Sequence, residues 1–201
     1  MSKNSLKILS FSAGIILASL ALIGIIFQIV QMINIFQSGV FKNDTKYASY
    51  YIITLIKSFV TLAFYGFLSY KIIMNYINKK DESKTLIMPA AIYCATGLLG
   101  YLISTIFWGL GDTTIIYSML LASSLVLIIL SQFSNMDEKI KKIFAVIGVG
   151  ICALLEFILI FNASGIGILL GLLYIAFFVL EFLYYLFDLL NFNSNIVEVE
   201  E

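Results

Sequence analysis

Three ionisable residues lie well inside long apolar runs of this chain: Lys57, Glu156 and Glu181. A charged side chain near the middle of a bilayer costs roughly 2.5–3.5 kcal/mol on insertion scales, so such residues mark ion or solute pathways or buried pairs. The chemistry they favour is binding of an ion, a proton or a small polar solute. The alternative is a static ion pair that fixes helix register.

Lys57 and Glu156 project from the polar or small faces of their segments. At about 1.5 Å per residue, they lie roughly 13 and 8 Å below the outer ends of their helices. A lysine stem covers that difference, so we expect the two side chains to meet in the outer half of the bundle. Thr54, Thr61 and Tyr65 share the helical face of Lys57.

Glu181 lies on a stripe of small and polar residues in the last apolar segment. Tyr174 and Tyr185 share that stripe, which runs at three- and four-residue spacing through Ser164, Gly167, Gly171, Tyr174, Phe178, Glu181, Tyr185 and Asp188. A carboxyl beside phenols either stays neutral through burial or collects a cation. We interpret Asp188 as the inner end of the helix, and we expect Lys71 to reach the headgroups rather than to pair with Glu181.

These residues form one predicted set of pathway candidates. Its members are Lys57, Glu156, Glu181, Thr54, Thr61, Tyr65, Tyr174 and Tyr185. No catalytic residue, metal ligand or cofactor site is predicted beside them, because the chain has no His and its two cysteines show no ligand spacing. We expect Cys94 and Cys152 to be separate packing residues without a disulfide.

One short motif suggests an enzyme. Residues 109–112, Gly-Leu-Gly-Asp, resemble the GxGD signature of intramembrane aspartyl proteases. That chemistry needs two carboxyls sharing a proton inside the membrane, and Asp112 is predicted at an outer hairpin without a second acid. A helix stop at Gly111 followed by an Asp112 cap explains the motif, so we do not expect an enzyme.

Composition defines the class of protein. Hydrophobic residues make up 61% of the 201-residue chain, charged residues 12%, and the mean hydropathy is +1.03. A soluble domain carries about a quarter charged residues, so we predict an all-α, polytopic bundle of six transmembrane helices in one domain. The predicted helices span about 8–36, 48–77, 86–110, 113–133, 143–161 and 165–190, and a polar acidic tail occupies 191–201. We read the first as a retained signal anchor.

The lysines predict the orientation. Most fall on one side of a six-crossing arrangement, with Lys42 and Lys46 on the other, so the positive-inside rule predicts that both termini are cytoplasmic. We expect an integral protein of a prokaryotic plasma membrane. Its partners are then the lipid bilayer and, for the small-residue faces, a second copy or a partner membrane protein. Zero net charge without a basic face argues against nucleic acid.

Two functions remain open at this stage. The first is a small transporter or channel-like protein that moves a solute or ion along the polar faces of segments two, five and six. The second is a non-catalytic membrane subunit whose small faces pack against a partner. A cavity between those segments would favour transport, whereas a dry core with an exposed small-residue face would favour the subunit.

Overall fold

A computed structural model describes residues 3–39, 44–80, 83–133 and 135–200, with side chains described from 4 to 192 in those ranges. The expectation for Lys42 lies outside the described residues, as do the side chains of the acidic tail. About 90% of the chain is helical, and the described ranges contain no strand.

Six helices are long and apolar enough to cross a membrane, which confirms the predicted fold class. A single helical turn at Ser83–Leu86 precedes the third, and a 3-10 turn at Ile160–Asn162 follows the fifth. The helices are α1 Lys3–Gln37, α2 Thr45–Ile77, α3 Met88–Trp108, α4 Asp112–Leu130, α5 Glu138–Leu159 and α6 Ile166–Glu200. Helix α6 therefore passes Asp188 and continues through the segment that we expected to be a tail.

Local capping explains several helix ends. Asp44 accepts a hydrogen bond from the Tyr47 amide at 2.9 Å, and Asp137 accepts one from the Lys139 amide at 2.7 Å. Pro89 occupies the first turn of α3, where its missing N–H leaves no bond unmade.

The expected cap at the α3–α4 hairpin is wrong. Gly109, with φ +90°, ends α3, while Gly111 is extended and precedes α4. Asp112 is the first residue of α4, and its side chain does not cap that helix. Both glycines lie in the turn. Only Gly109 adopts a positive φ, a conformation that glycine takes without strain.

The helices form a closed ring in chain order. Each helix packs against its neighbours in sequence, α1 closes the ring against α6, and α3 also touches α5. At one end, called the basic end below, Phe11 stacks on Tyr76, and Lys142 pairs with Asp188. At the far end, Tyr47 and Tyr50 pack against Trp108.

Large apolar side chains cover the outside of the ring. Ile106, Leu22 and Met119 are each more than 60% exposed, whereas the interior is formed by buried residues from all six helices. Six helices of this length with apolar outer surfaces belong in contact with lipid, because such a surface is not stable in water. The chain is an integral membrane protein.

Glycines set the closest helix approaches inside the ring. A Cβ at Gly24 would lie 2.5 Å from Leu62, and one at Gly97 would lie 2.8 Å from Leu121. A Cβ at Gly148 would lie 2.9 Å from Ile128 and 3.2 Å from the Ser124 carbonyl oxygen, which is backbone. These small-residue faces therefore pack against other helices of the same chain.

A matched pair of substitutions on α5 tests this packing. Gly148→Ala should lower the free energy of unfolding by about 1–3 kcal/mol, because the backbone of α4 cannot move aside without separating the helices. At Gly150 the nearest atom to an added Cβ belongs to Phe182 at 3.4 Å, so Gly150→Ala should be close to neutral. Titration with SDS followed by circular dichroism measures both; equal losses would contradict the close approach at Gly148.

Candidate functional site

The interior of the ring holds a cavity between α2, α3 and α5, bordered by α1 and α6 in one part and by α4 in the other. It consists of two adjoining volumes of about 260 and 370 Å³, and both are lined by Lys57, Tyr93, Gly97 and Glu156. The larger volume extends towards the far end, where Tyr50 also lines it. The larger volume is at the low end of the range for small-molecule pockets, about 300–1,000 Å³, and the smaller one is just below it.

Lys57 provides the cationic wall of the cavity. Its ammonium nitrogen lies 3.4 Å from the Thr96 carbonyl oxygen and passes close to Gly100, where a Cβ would lie only 2.6 Å from the nitrogen. The glycine therefore leaves the space that the ammonium occupies. The hydroxyls of Thr54 and Thr61 donate to carbonyls of their own helix at 2.9 and 2.8 Å, so Lys57 is the main donor on this wall.

Glu156 provides the anionic wall. It is 8% exposed and lines both volumes of the cavity beside Tyr93. The ring of Tyr93 also packs against that of Tyr174, with centroids 5.6 Å apart. A carboxylate beside two aromatic faces is a surrounding that suits a small cation.

Lys57 and Glu156 line the same cavity without forming an ion pair. Among the described residues, ion pairs within 4 Å join Lys141 to Glu138 and Lys142 to Asp188, but none joins these two. The structure therefore places both side chains along one cavity and leaves space between them, instead of the contact that we expected. Their opposite charges face the cavity rather than each other.

An aromatic layer closes the cavity towards the basic end. Tyr174 contacts Tyr65 and Phe178 with ring centroids 6.1 Å apart in each case, and Tyr93 contacts Phe178 at 4.9 Å. Phe177 extends the layer beside Phe178. Because Tyr65, Phe177 and Phe178 are each 1% exposed, the layer is packed rather than open.

Glu181 lies below this layer with no exposed surface. Neither carboxylate oxygen has a hydrogen-bond partner among the described residues. It is seven residues from both Tyr174 and Asp188, which is about 10 Å along the helix in each direction. Lys71 does not pair with it; that side chain is exposed, with its ammonium 4.8 Å from the centre of the Phe67 ring.

The two cysteines are in contact, which the sequence interpretation missed. Their sulfurs lie 3.4 Å apart, and the Ser124 hydroxyl lies 3.2 Å from the Cys152 sulfur while donating to the Gly148 carbonyl at 2.7 Å. Both thiols are free and fully buried. They form a polar cluster between α3, α4 and α5, not two separate packing positions.

A second cavity, of about 560 Å³, opens at the basic end. Lys84, Lys142 and Asp188 line it together with Tyr185, whose hydroxyl donates to the Ser83 carbonyl at 2.5 Å. Asp188 pairs with Lys142, so it is more than a helix end. This cavity and the central one lie on opposite sides of Glu181.

The predicted candidates separate into three places. Six of them line the central cavity: Lys57, Glu156, Thr54, Thr61, Tyr65 and Tyr174. Glu181 is sealed beneath it, and Tyr185 is at the basic end. The prediction omitted α3, which contributes Tyr93, Gly97, Gly100 and Tyr101; their three- and four-residue spacing on one face was the available signal.

No ready-made metal site accompanies these groups. Within residues 3–39, 44–80, 83–133 and 135–192, no group of three His, Cys, Asp or Glu side chains is placed to hold a metal ion. In comparisons with protein-family models, curated proteins and solved structures, nothing matches this chain.

Proposed function

We propose that the protein is a small membrane transporter whose substrate binds in the central cavity. The observation that carries the proposal is the pair of unpaired, opposite charges, Lys57 and Glu156, that line one cavity inside a lipid-embedded ring. Groups that only fixed helix register would gain most by pairing with each other, because a separated charge in a low-dielectric interior is costly.

The arrangement of the two cavities supports the same proposal. The central cavity reaches towards the far end, the aromatic layer closes it, and the basic-end cavity begins about one helical turn beyond Glu181, at Tyr184 and Tyr185. A transporter needs a binding site that is open to one side of the membrane and closed to the other. The barrier on the closed side must be able to open while the other side closes. In this proposal Glu181 is the polar side chain inside that barrier.

The positive-inside rule supports an orientation. Lys79 and Lys84 are at the basic end together with Lys142, whereas Lys46 lies over Trp108 at the far end. The proposal therefore puts the basic end and both termini in the cytoplasm, as expected for a prokaryotic plasma membrane protein. The central cavity then faces outwards.

The alternative, a subunit that packs against a second copy or a partner membrane protein, draws less support. A subunit of this kind is expected to expose a face of small residues to its partner. Gly24, Gly97 and Gly148 instead meet other helices of the same chain. The faces turned to lipid carry large apolar side chains instead. That surface suits lipid tails without any partner.

Solute uptake into proteoliposomes tests the proposal. With a panel of charged and polar solutes, Glu156→Gln should lower the uptake of the transported solute at least tenfold, because the anionic wall is lost. Asp112→Asn is the matched control, since Asp112 is exposed at the start of α4 and away from the cavity, and it should transport normally. No uptake of any solute by the folded wild-type protein would favour the subunit instead.

A further inference from the structure

We infer that the central cavity binds a small zwitterion, a molecule that carries one ammonium and one carboxylate as an amino acid does. The inference rests on the proposed function only in calling this molecule the transported substrate. The binding site itself follows from the two walls of the cavity.

The Lys57 wall fits the anionic end of such a molecule. Among the described residues its ammonium donates one hydrogen bond, a long one of 3.4 Å to the Thr96 carbonyl, so it has donors left for a carboxylate. Gly100 keeps the space around the nitrogen free of side chain. The neighbouring threonines already use their hydroxyl protons within α2, so they do not replace it as donors.

The Glu156 wall fits the cationic end. An ionised carboxylate accepts hydrogen bonds through both of its oxygens, and the rings of Tyr65, Tyr93 and Tyr174 surround this part of the cavity. A carboxylate supplies charge and aromatic faces supply a cation–π surface, so both favour an ammonium group. An anion would be repelled here.

Lys57 and Glu156 together carry no net charge, and this favours a zwitterion over a singly charged solute. A cation alone would leave Lys57 uncompensated in the cavity, and an anion alone would leave Glu156 uncompensated. Both outcomes carry the cost of an unpaired buried charge. A molecule with both charges compensates both walls at once and adds no net charge to the membrane interior.

Binding of three matched probes to the full-length protein in nanodiscs tests the inference. L-leucine carries both charges, isoamylamine only the ammonium and isocaproate only the carboxylate. By isothermal titration, leucine should bind at least tenfold more tightly than either analogue. Equal binding of all three probes, or no binding of leucine or any other amino acid of a size series from alanine to phenylalanine, would overturn the inference.

Two substitutions assign the ends of the molecule. Lys57→Met should weaken the binding of leucine and isocaproate at least tenfold without weakening that of isoamylamine. Glu156→Gln should weaken the binding of leucine and isoamylamine without weakening that of isocaproate. Equal losses for all probes in both variants would mean a collapsed cavity and would contradict the assignment.

A glycine substitution repeats the Lys57 test without removing the charge. Gly100→Ala should displace the Lys57 ammonium and weaken the binding of leucine, because the added Cβ would lie 2.6 Å from the nitrogen. Gly66→Ala is the control, since a Cβ there meets no atom within 4 Å, and it should bind leucine normally. Unchanged leucine binding in folded Gly100→Ala would contradict the placement of the carboxylate beside Lys57.

Flux separates this inference from the proposed function. Leucine binding with the pattern above, but without uptake of any amino acid into proteoliposomes, would leave the zwitterion site standing and overturn transport. Uptake of a singly charged or neutral solute without that binding pattern would leave transport standing and overturn the zwitterion.

Discussion

Glu181→Met should make the protein more stable and abolish the proposed transport. The carboxyl is completely buried and neither oxygen has a hydrogen-bond partner among the described residues. An unsatisfied buried polar group costs about 1–3 kcal/mol, so replacing it with an apolar side chain of similar length should raise the free energy of unfolding by about that amount. Most core substitutions act in the opposite direction.

The loss of transport has a separate reason. In the proposed pathway Glu181 is the polar side chain between the aromatic layer and the basic-end cavity, and methionine removes it. A group that lowers stability and has no structural partner is the kind of residue that function retains at the expense of stability. Uptake by Glu181→Met should therefore fall to the level of empty liposomes, although the variant is folded.

Leu155→Met provides the matched control. Leu155 is 2% exposed, and the change conserves volume without removing a polar group, so it should cost less than about 1.5 kcal/mol and preserve uptake. SDS titration and uptake assays on both variants give the comparison. A destabilised Glu181→Met would show that the carboxyl makes stabilising contacts, and a stable variant with full uptake would remove Glu181 from the pathway.

The sequence predicted the six helices because their signal is local. Each crossing is a long apolar run that is interrupted by polar loops, and no knowledge of neighbouring helices is needed to find it. Helix ends were less certain. Gly109 and Gly111 are equally able to end α3 by residue type, and only the backbone shows that Gly109 takes the positive φ.

Part of the central site could also be predicted from local sequence. Depth along a helix follows from counting residues, so Lys57 and Glu156 could be assigned to the same level of the bundle. Whether they pair could not be predicted, because the lysine stem has four rotatable bonds and its direction depends on the space at Gly100. Tyr93 was missed because a tyrosine within an apolar helix is usually a packing residue.

The cysteine contact could not be predicted at all. Cys94 and Cys152 are 58 residues apart on different helices, and their contact depends on α3 leaning across the ring towards α5. Nothing in residue spacing specifies that crossing. The ring order of the helices is a tertiary property, and local patterns carry no information on it.

This contact predicts a disulfide that should block the proposed transport. Diamide should oxidise the folded protein to one intramolecular Cys94–Cys152 disulfide, with the two thiols giving two electrons and two protons to the reagent. Because both sulfurs are fully buried, oxidation should be slow and should report the rate at which the core opens to the reagent. The reduced and oxidised chains can be separated by alkylation and mass spectrometry.

The consequence for transport follows from the position of the bond. Cys94 adjoins Tyr93, and Cys152 is one helical turn before Glu156, so the disulfide would fix the two walls of the central cavity to each other. Oxidised protein should lose uptake and dithiothreitol should restore it, whereas Cys94→Ser and Cys152→Ser should transport normally before and after diamide. Thiols that remain free in the folded protein but oxidise in SDS would contradict the contact. Full uptake by the oxidised protein would show that α3 and α5 move as one body, and the exchange of the cavity between sides would then have to come from α1, α2 and α6.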